Sequence, residues 1–372
     1  MSTTAAVFRA VGEPLDVCEL EVLPPRENEV LVRYVASGLC HSDLHIMDGS
    51  MAHPAPAVLG HEGGGVVEAV GAGVSRVSVG DHVLTSYQPS CGRCWYCTNG
   101  RSNLCELRDL PRTVMRDGTT RFRRDGQEVQ HLFQVSSHAA SAVVPEECLI
   151  PIRKDAPLDV VCLVSCGVAT GFGAVVNRAR VHAGATVVVI GCGGVGINAI
   201  QAARLVGAAR IVAVDRIPDK LETAREFGAT DTVDAADLDE ALARIREICG
   251  RGGADYAIEA VGTTATVEFA FACLHRGGTA VVAGVTPDGS RISLDPRMLL
   301  QERILTGTSF GSVRQSIDLP MIVDLFMDGR YKLTELVSRT VGIGEINDAY
   351  GRMQRGEIRR EVLVHEWEAV HR

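Results

Sequence analysis

Several things are missing from this 372-residue chain. No apolar run approaches the roughly 20 residues that a bilayer-spanning helix needs, so no membrane partner is expected. Basic residues are in the minority. The 37 Lys and Arg stand against 46 Asp and Glu, a net charge of −9, which argues against nucleic acid or an anionic lipid surface as partner. The opening MSTTAAVFRA lacks the basic stretch and apolar core of a secretory signal, so a cytoplasmic location is expected. No internal repeat or low-complexity tract is evident. What is present, 46% hydrophobic and 22% charged residues, is the composition of a soluble globular protein. The length exceeds one ordinary core and predicts about two domains.

The texture of the chain places those domains. Short β-branched runs broken by glycine fill the first part: EVLVRYVASG (29–38), GGGVVEAVGAGV (63–74) and VGDHVLTSY (79–87). They predict a barrel-like β domain. Near residue 168 apolar strands begin to alternate with amphipathic helices, as in a doubly wound parallel sheet. TVVVI (186–190), RIVAVD (210–215), YAIEAV (256–261) and GTAVVAGV (278–285) read as strands, and 197–208 and 218–229 as helices. After about residue 309 the chain turns mixed again, with a helix near 318–328 and a closing strand REVLVHE (360–366). The expected organisation is α/β: residues 1–167, then a Rossmann domain over 168–309, then 310–372 returning to the first domain.

The 12 cysteines are unevenly spread. Cys91, Cys94, Cys97 and Cys105 form C-x2-C-x2-C-x7-C, and four thiolates in one short loop can close a tetrahedral zinc shell. An iron–sulfur cluster is the rival, but the C-x3-C-P continuation of the ferredoxin run is absent. A shell filled by four protein ligands leaves no open position, so this zinc is structural. A catalytic zinc needs three protein ligands and one free position. Candidates are Cys40 with its neighbours in GLCHSDLHIMDG (38–49), His61 in GHEGGG and Cys166 in SCGVATG. Spacing alone does not join them, since Cys166 also fits an ordinary buried thiol and His61 a hydrogen-bonded loop histidine.

GCGGVG (191–196) supplies Gly191, Gly193 and Gly196 in G-x-G-x-x-G spacing, with Gly194 and Val195 between them. The pattern is weak by itself and gains meaning because it follows a strand and opens a helix. The helix N-terminus then offers free N–H groups and a partial positive charge to a pyrophosphate. Asp215, ending the next strand, suits the adenosine ribose hydroxyls and repels a 2′-phosphate, so NAD is favoured over NADP. Arg216 beside it softens that preference.

With these residues in view, the chain resembles the zinc-dependent medium-chain alcohol dehydrogenases over essentially its whole length. The blocks that carry the resemblance are GLCHSDLH, LGHEGGGVVEAVGAGV, the four-cysteine lobe, DGTTRF, VCLVSCGVATGFGAVVN, GCGGVG, IVAVD and GEIRREVLV. The resemblance implies a GroES-like catalytic domain from both chain ends, an inserted Rossmann domain, an active site in the cleft between them, and a homodimer or homotetramer. It implies that Cys40, His61 and Cys166 hold a catalytic zinc, giving two Zn2+ per chain. A bound alcohol is then deprotonated and its hydride passes to NAD. Ser42 matches the hydroxyl that accepts the proton, and His45 the base that delivers it to solvent, a task suited to an imidazole with its ordinary pKa of about 6.5. Asp43 matches the carboxylate that orients His61, and Glu62 lies behind the metal.

His41 stands where many relatives place an Arg against the pyrophosphate. Thr170 and Val195 match residues on the nicotinamide ring, Lys220 one near the ribose, and Arg360 a phosphate contact, with Arg359 one position away as its rival. Tyr87 matches an aromatic wall of the substrate pocket, with Leu132 and Phe133 further out. The glutathione-dependent formaldehyde dehydrogenase branch grips its adduct with an acid and an Arg. Met51 and Asp109 stand at those places here, and His45 replaces that branch's Tyr. A primary alcohol with an apolar tail, aliphatic or aromatic, or its aldehyde, is the expected substrate. A nicotinoprotein that holds NAD permanently is the second reading, and the glutathione-adduct enzyme the third. A non-enzymatic NAD-binding relative is disfavoured because Cys40, Ser42, His45, His61 and Cys166 are all present.

Overall fold

The computed structural model describes residues 1–357 and 359–366, so Ile358 of the GEIRREVLV block lies outside the described residues. The chain divides into two units, Met1–Cys166 with Arg314–Arg372, and Gly167–Val313.

The first unit is β-rich. Strands Ser2–Phe8, Asp16–Val22, Phe122–Arg124, Gln127–His131 and Ala57–Val58 close a barrel. A second sheet runs in the order Leu149–Ile152, His82–Thr85, Glu62–Val70, Glu29–Gly38, Arg360–Val364 and Val337–Val341, with Ser141–Pro145 also paired to Glu29–Gly38. Strand Asp16–Val22 mixes buried and exposed positions, as expected when only one face meets a core. The DGTTRF block explains itself here. Arg121 is fully buried, and its guanidinium donates to both Glu29 carboxylate oxygens at 2.7 and 2.6 Å and to Asp117 at 2.7 Å. A buried charge persists only when paired in this way, so the block fastens the barrel and takes no part in chemistry.

The second unit holds six parallel strands in the spatial order Asp231–Asp234, Arg210–Asp215, Thr186–Ile190, Ala254–Glu259, Leu274–Val282, Ile304–Gly307. This is the dinucleotide-binding order, with the crossover point at Thr186–Ile190. That strand is almost wholly buried because helices cover both faces, which is why TVVVI does not alternate. The expected α/β class, with a GroES-like β-rich part and a Rossmann sheet, is the observed one. Boundaries moved slightly: the expected helix 197–208 is Gly194–Leu205, and the helix expected near 318–328 is Gln315–Met327, which carries Pro320 inside it. Pro320, the sixth residue of that helix, has no N–H to donate to the Ser316 carbonyl, so one intrahelical bond is missing there.

Candidate active site

In the lobe, Cys91 Sγ lies 3.9 Å from Cys97 Sγ, and Cys94 Sγ lies 3.9 Å from Cys105 Sγ. A tetrahedron with ~2.3 Å metal–sulfur bonds has edges of roughly 3.8 Å, so the sulfurs stand at zinc spacing. Backbone N–H groups of Arg93 and Cys94 point at Cys91 Sγ at 3.5 and 3.3 Å, and that of Cys91 at Cys105 Sγ at 3.3 Å. Such donors offset the negative charge of metal-bound thiolates. All 12 cysteines are free of disulfides.

The second donor set is assembled from distant stretches of chain. Cys40 is the residue before the short helix His41–Met47, His61 precedes strand Glu62–Val70, and Cys166 follows the turn Cys162–Ser165. Ligand atoms from Cys40, His61, Glu62 and Cys166 all lie within 4.8 Å of one another. Gly60 makes the bend that delivers His61: its φ is +86°, and a side chain there would collide with His138. Ser165 Oγ donates to the Gly63 carbonyl at 3.3 Å, tying the Cys166 turn to the His61 strand.

The electrostatics fit a cation. Asp43, fully buried, accepts the Gly60 N–H at 2.9 Å and faces His61 Nδ1 at 3.2 Å. That contact places the proton on Nδ1 and leaves the Nε2 lone pair for a metal. Burial alone would lower the His61 pKa, but Asp43 and Cys40 raise it well above the ordinary value. The Cys40 thiol is held well below its usual range, first by the hydrogen bond from Cys166 and then by His61, while Cys166 is pushed up by sharing that proton. Burial lifts Glu62 to about 7 against the opposing pull of Arg360. Its Oε1, buried and without a hydrogen-bond partner, is an orphan acceptor that a nearby metal would satisfy.

In the second unit Gly191 has φ +89°, and a side chain at Gly196 would run into the Gly191 carbonyl. Both positions therefore need glycine if strand Thr186–Ile190 is to turn directly into helix Gly194–Leu205. Asp215 closes the turn by accepting the N–H of Cys192 at 2.8 Å and of Ile217 at 3.0 Å.

Comparison with known proteins agrees with this geometry. The alcohol dehydrogenase GroES-like domain family matches residues 26–154, and the zinc-binding dehydrogenase family matches residues 194–326. The chain belongs to the zinc-dependent medium-chain alcohol dehydrogenases. It is 40% identical over 373 residues to an NDMA-dependent alcohol dehydrogenase of Amycolatopsis methanolica, covering 98% of this chain and 99% of that one. It is 38% identical over 375 residues to an S-(hydroxymethyl)glutathione dehydrogenase of Paracoccus denitrificans, covering 98% and 100%. Among solved structures, the benzyl alcohol dehydrogenase of Acinetobacter calcoaceticus superposes with TM-score 0.92 at 32% identity, covering 98% and 100%.

This dehydrogenase is therefore an oxidoreductase with NAD and two zinc ions per chain as cofactors: the four-cysteine lobe fits the structural ion, and the Cys40–His61–Cys166 set fits the catalytic one. Ser42 Oγ stands 3.8 Å from Cys40 Sγ. His45 is one helical turn further on, its side chain 44% exposed and its Nδ1 3.8 Å from Asp48. The His41 ring is exposed, 6.5 Å from that of His45. Tyr87 and Phe133 both meet the His61 ring edge-on, at 5.6 and 5.8 Å between centroids. Thr170 is nearly buried, and Val195 and Lys220 are half-buried.

Two residues stand differently from expectation. Leu132 has no exposed surface and packs in a core cluster with Leu39, Leu59 and Tyr350, so it backs the pocket wall and does not form its surface. Arg360, expected against a cofactor phosphate, is 8% exposed and donates its Nη2 to Glu62 Oε2. Arg359 is exposed. Sequence reasoning missed Gly38, where any side chain would strike the Glu62 carboxylate, Leu163 and Arg360. The only trace of that role in the sequence is a glycine two residues before a ligand.

Among the described residues no single helix is long and apolar enough to cross a membrane.

Proposed function

We propose that the enzyme interconverts a primary alcohol, aliphatic or aromatic, and its aldehyde. The observation that carries this reading is a three-ligand donor set, Cys40, His61 and Cys166, walled by the rings of Tyr87 and Phe133. When bound, zinc polarises the alcohol oxygen and NAD accepts the hydride. Asp43 fixes the His61 tautomer. Ser42 takes the hydroxyl proton and His45, on the same helix face at i+3 and open to solvent, releases it. Gly191, Gly193, Gly194, Gly196 and Asp215 hold the dinucleotide, Thr170 and Val195 pack its nicotinamide, and His41, Lys220 and Arg359 serve its ribose and phosphates.

Replacing Ser42 by Ala is expected to lower kcat by about 10²- to 10⁴-fold while metal analysis still finds both zinc ions. Loss of a zinc in that variant removes Ser42 from the proton path. A screen of primary, secondary and aromatic alcohols together with S-(hydroxymethyl)glutathione tests the substrate. Preference for the glutathione adduct overturns the reading.

A second reading, permanently bound NAD reoxidised by an external acceptor, is favoured by the 40% identity to the NDMA-dependent enzyme. Stoichiometric nucleotide released by heating dialysed protein would establish it. The chain is proposed to assemble as a homodimer or homotetramer. Supporting this, Ile304 is exposed on the outermost strand Ile304–Gly307, and Leu299 and Leu300 are exposed in the chain just before it. Sedimentation velocity reads the state, and a monomer refutes it.

A further inference from the structure

Helix His41–Met47 turns Asp43, Leu44 and Ile46 inward, where all three are buried. Its other face carries His41, His45 and, just past the helix end, Asp48. These stand at i, i+4 and i+7, so they are neighbours along one side of the helix. The His41 ring is exposed and the His45 side chain is partly so. Their centroids are 6.5 Å apart with the planes tilted by 53°. Two imidazoles one turn apart on a helix can share a divalent transition ion. Rings bonded to one zinc at ~2.0 Å each stand about 5 Å apart, so this pair has about 1.5 Å to close. A rotation of two side chains with solvent beside them supplies that.

Asp48 provides the support that such a pair needs. Its Oδ1 accepts the Ser50 N–H at 2.8 Å, while its Oδ2 faces His45 Nδ1 at 3.8 Å. That Nδ1 is shielded from solvent and has no hydrogen-bond partner. A carboxylate beside Nδ1 favours the proton on that nitrogen and leaves the Nε2 lone pair for an ion. Asp43 stands in the same relation to His61. The backbone beneath is tied down. Asp48 N donates to the Leu44 carbonyl at 2.9 Å, Met51 N to the His45 carbonyl at 2.8 Å, and Gly12 N to the Met47 carbonyl at 2.8 Å.

We propose that His41 and His45 form a third metal site, which takes an exchangeable divalent transition ion such as Zn2+ and, when filled, arrests turnover. His45 contributes Nε2 and His41 a ring nitrogen. Water fills the other positions, so the ion is held more loosely than by three or four protein ligands and leaves on dialysis. The resident zinc ions stay. The arrest rests on the reading of His45 as the proton exit, because a nitrogen bonded to an ion cannot carry the proton.

The test titrates holoenzyme, carrying its two zinc ions and no NAD, with ZnCl2 in a calorimeter. The native protein is expected to take up a third equivalent. Uptake is lost in His45→Gln and in His41→Arg, whose guanidinium keeps a positive charge and has no lone pair to offer. Asp48→Asn, which leaves both rings in place, binds about 10-fold more weakly. Absence of a third equivalent, or one undiminished in His41→Arg, overturns the site. A second arm compares kcat with and without added ZnCl2 within each protein, at saturating NAD and primary alcohol. Native kcat is expected to fall about 10-fold or more and to recover on dialysis, while His41→Arg keeps its own value. An equal fall in His41→Arg overturns the proposal, because the ion then acts elsewhere. A third ion bound through both histidines with native kcat unmoved upholds the site and overturns the proton role of His45, so the two readings fail separately.

Discussion

The four-cysteine lobe draws every ligand from one loop, Cys91 to Cys105, whereas the second donor set joins Cys40, His61 and Cys166 across much of the first unit. The lobe's sulfurs are partly exposed apart from Cys105, while His61, Glu62 and Asp43 are essentially buried. Around the lobe the supporting donors are backbone N–H groups on the same loop. Around the other set they are side chains from elsewhere, Asp43 on His61 and Arg360 on Glu62. The difference teaches what each centre is for. A closed shell of local thiolates can be made by a loop wrapping an ion, and its return is rigidity. An open site must be held by a scaffold that exists without the ligand, or its free position would collapse onto a fourth side chain. Glu62 is that side chain here, and Arg360 engages its other oxygen.

The contrast can be broken most forcefully at the buried set. His61→Ala is expected to lower alcohol oxidation by about 10³-fold or more and to leave one zinc per chain by metal analysis, with the far-ultraviolet circular dichroism unchanged. Two zinc ions in that variant would dissolve the distinction between the centres. Cys97→Ser, in the lobe, should do the reverse. Its zinc content also falls to one, but the main loss is stability, a Tm lower by about 10 °C or more in scanning calorimetry. An unchanged Tm would mean that the lobe's zinc does not stabilise the fold.

The smallest effect sets the acid background against which either zinc loss is read. His131 is fully buried, and burial followed by the Arg121 charge lowers its pKa to about 3. A histidine kept neutral by the fold takes up protons more readily when unfolded. Its contribution to stability is therefore complete above its ordinary pKa of about 6.5 and drains away as pH falls toward 3. His365, lowered to about 4 by burial, acts in the same direction. Denaturant midpoints measured between pH 7 and pH 4.5 should decline less steeply in His131→Asn than in the native protein. Parallel declines would assign acid sensitivity to other groups, the zinc ligands first among them.

Much of this protein was legible because it is local. The lobe's spacing, the turn Gly191–Gly196 after a strand of buried β-branched residues, and the carboxylate of Asp215 each depend on neighbours within a few residues or one βαβ unit. Close-range geometry is fixed by chain connectivity, so the sequence by itself determined the structural zinc site, the dinucleotide unit and the α/β class. It also supplied the motif blocks that place the chain in its family, without telling which were chemistry and which, like Asp117–Phe122, were a buried ion network.

The tertiary structure alone decided the rest. Residues as far apart as Gly38, Glu62, Leu163 and Arg360 crowd one point, and no spacing rule encodes a contact made by sheet pairing. The same holds for Arg112, an unremarked arginine in sequence that folding sets against Phe133 and Tyr87. The resemblance puts Leu132 in the pocket, yet its side chain packs into the core while its neighbour Phe133 faces His61. Which of two adjacent side chains meets the ligand is set by backbone dihedrals and packing. Those are properties of the folded chain, because they arise only once distant segments exclude water from one another.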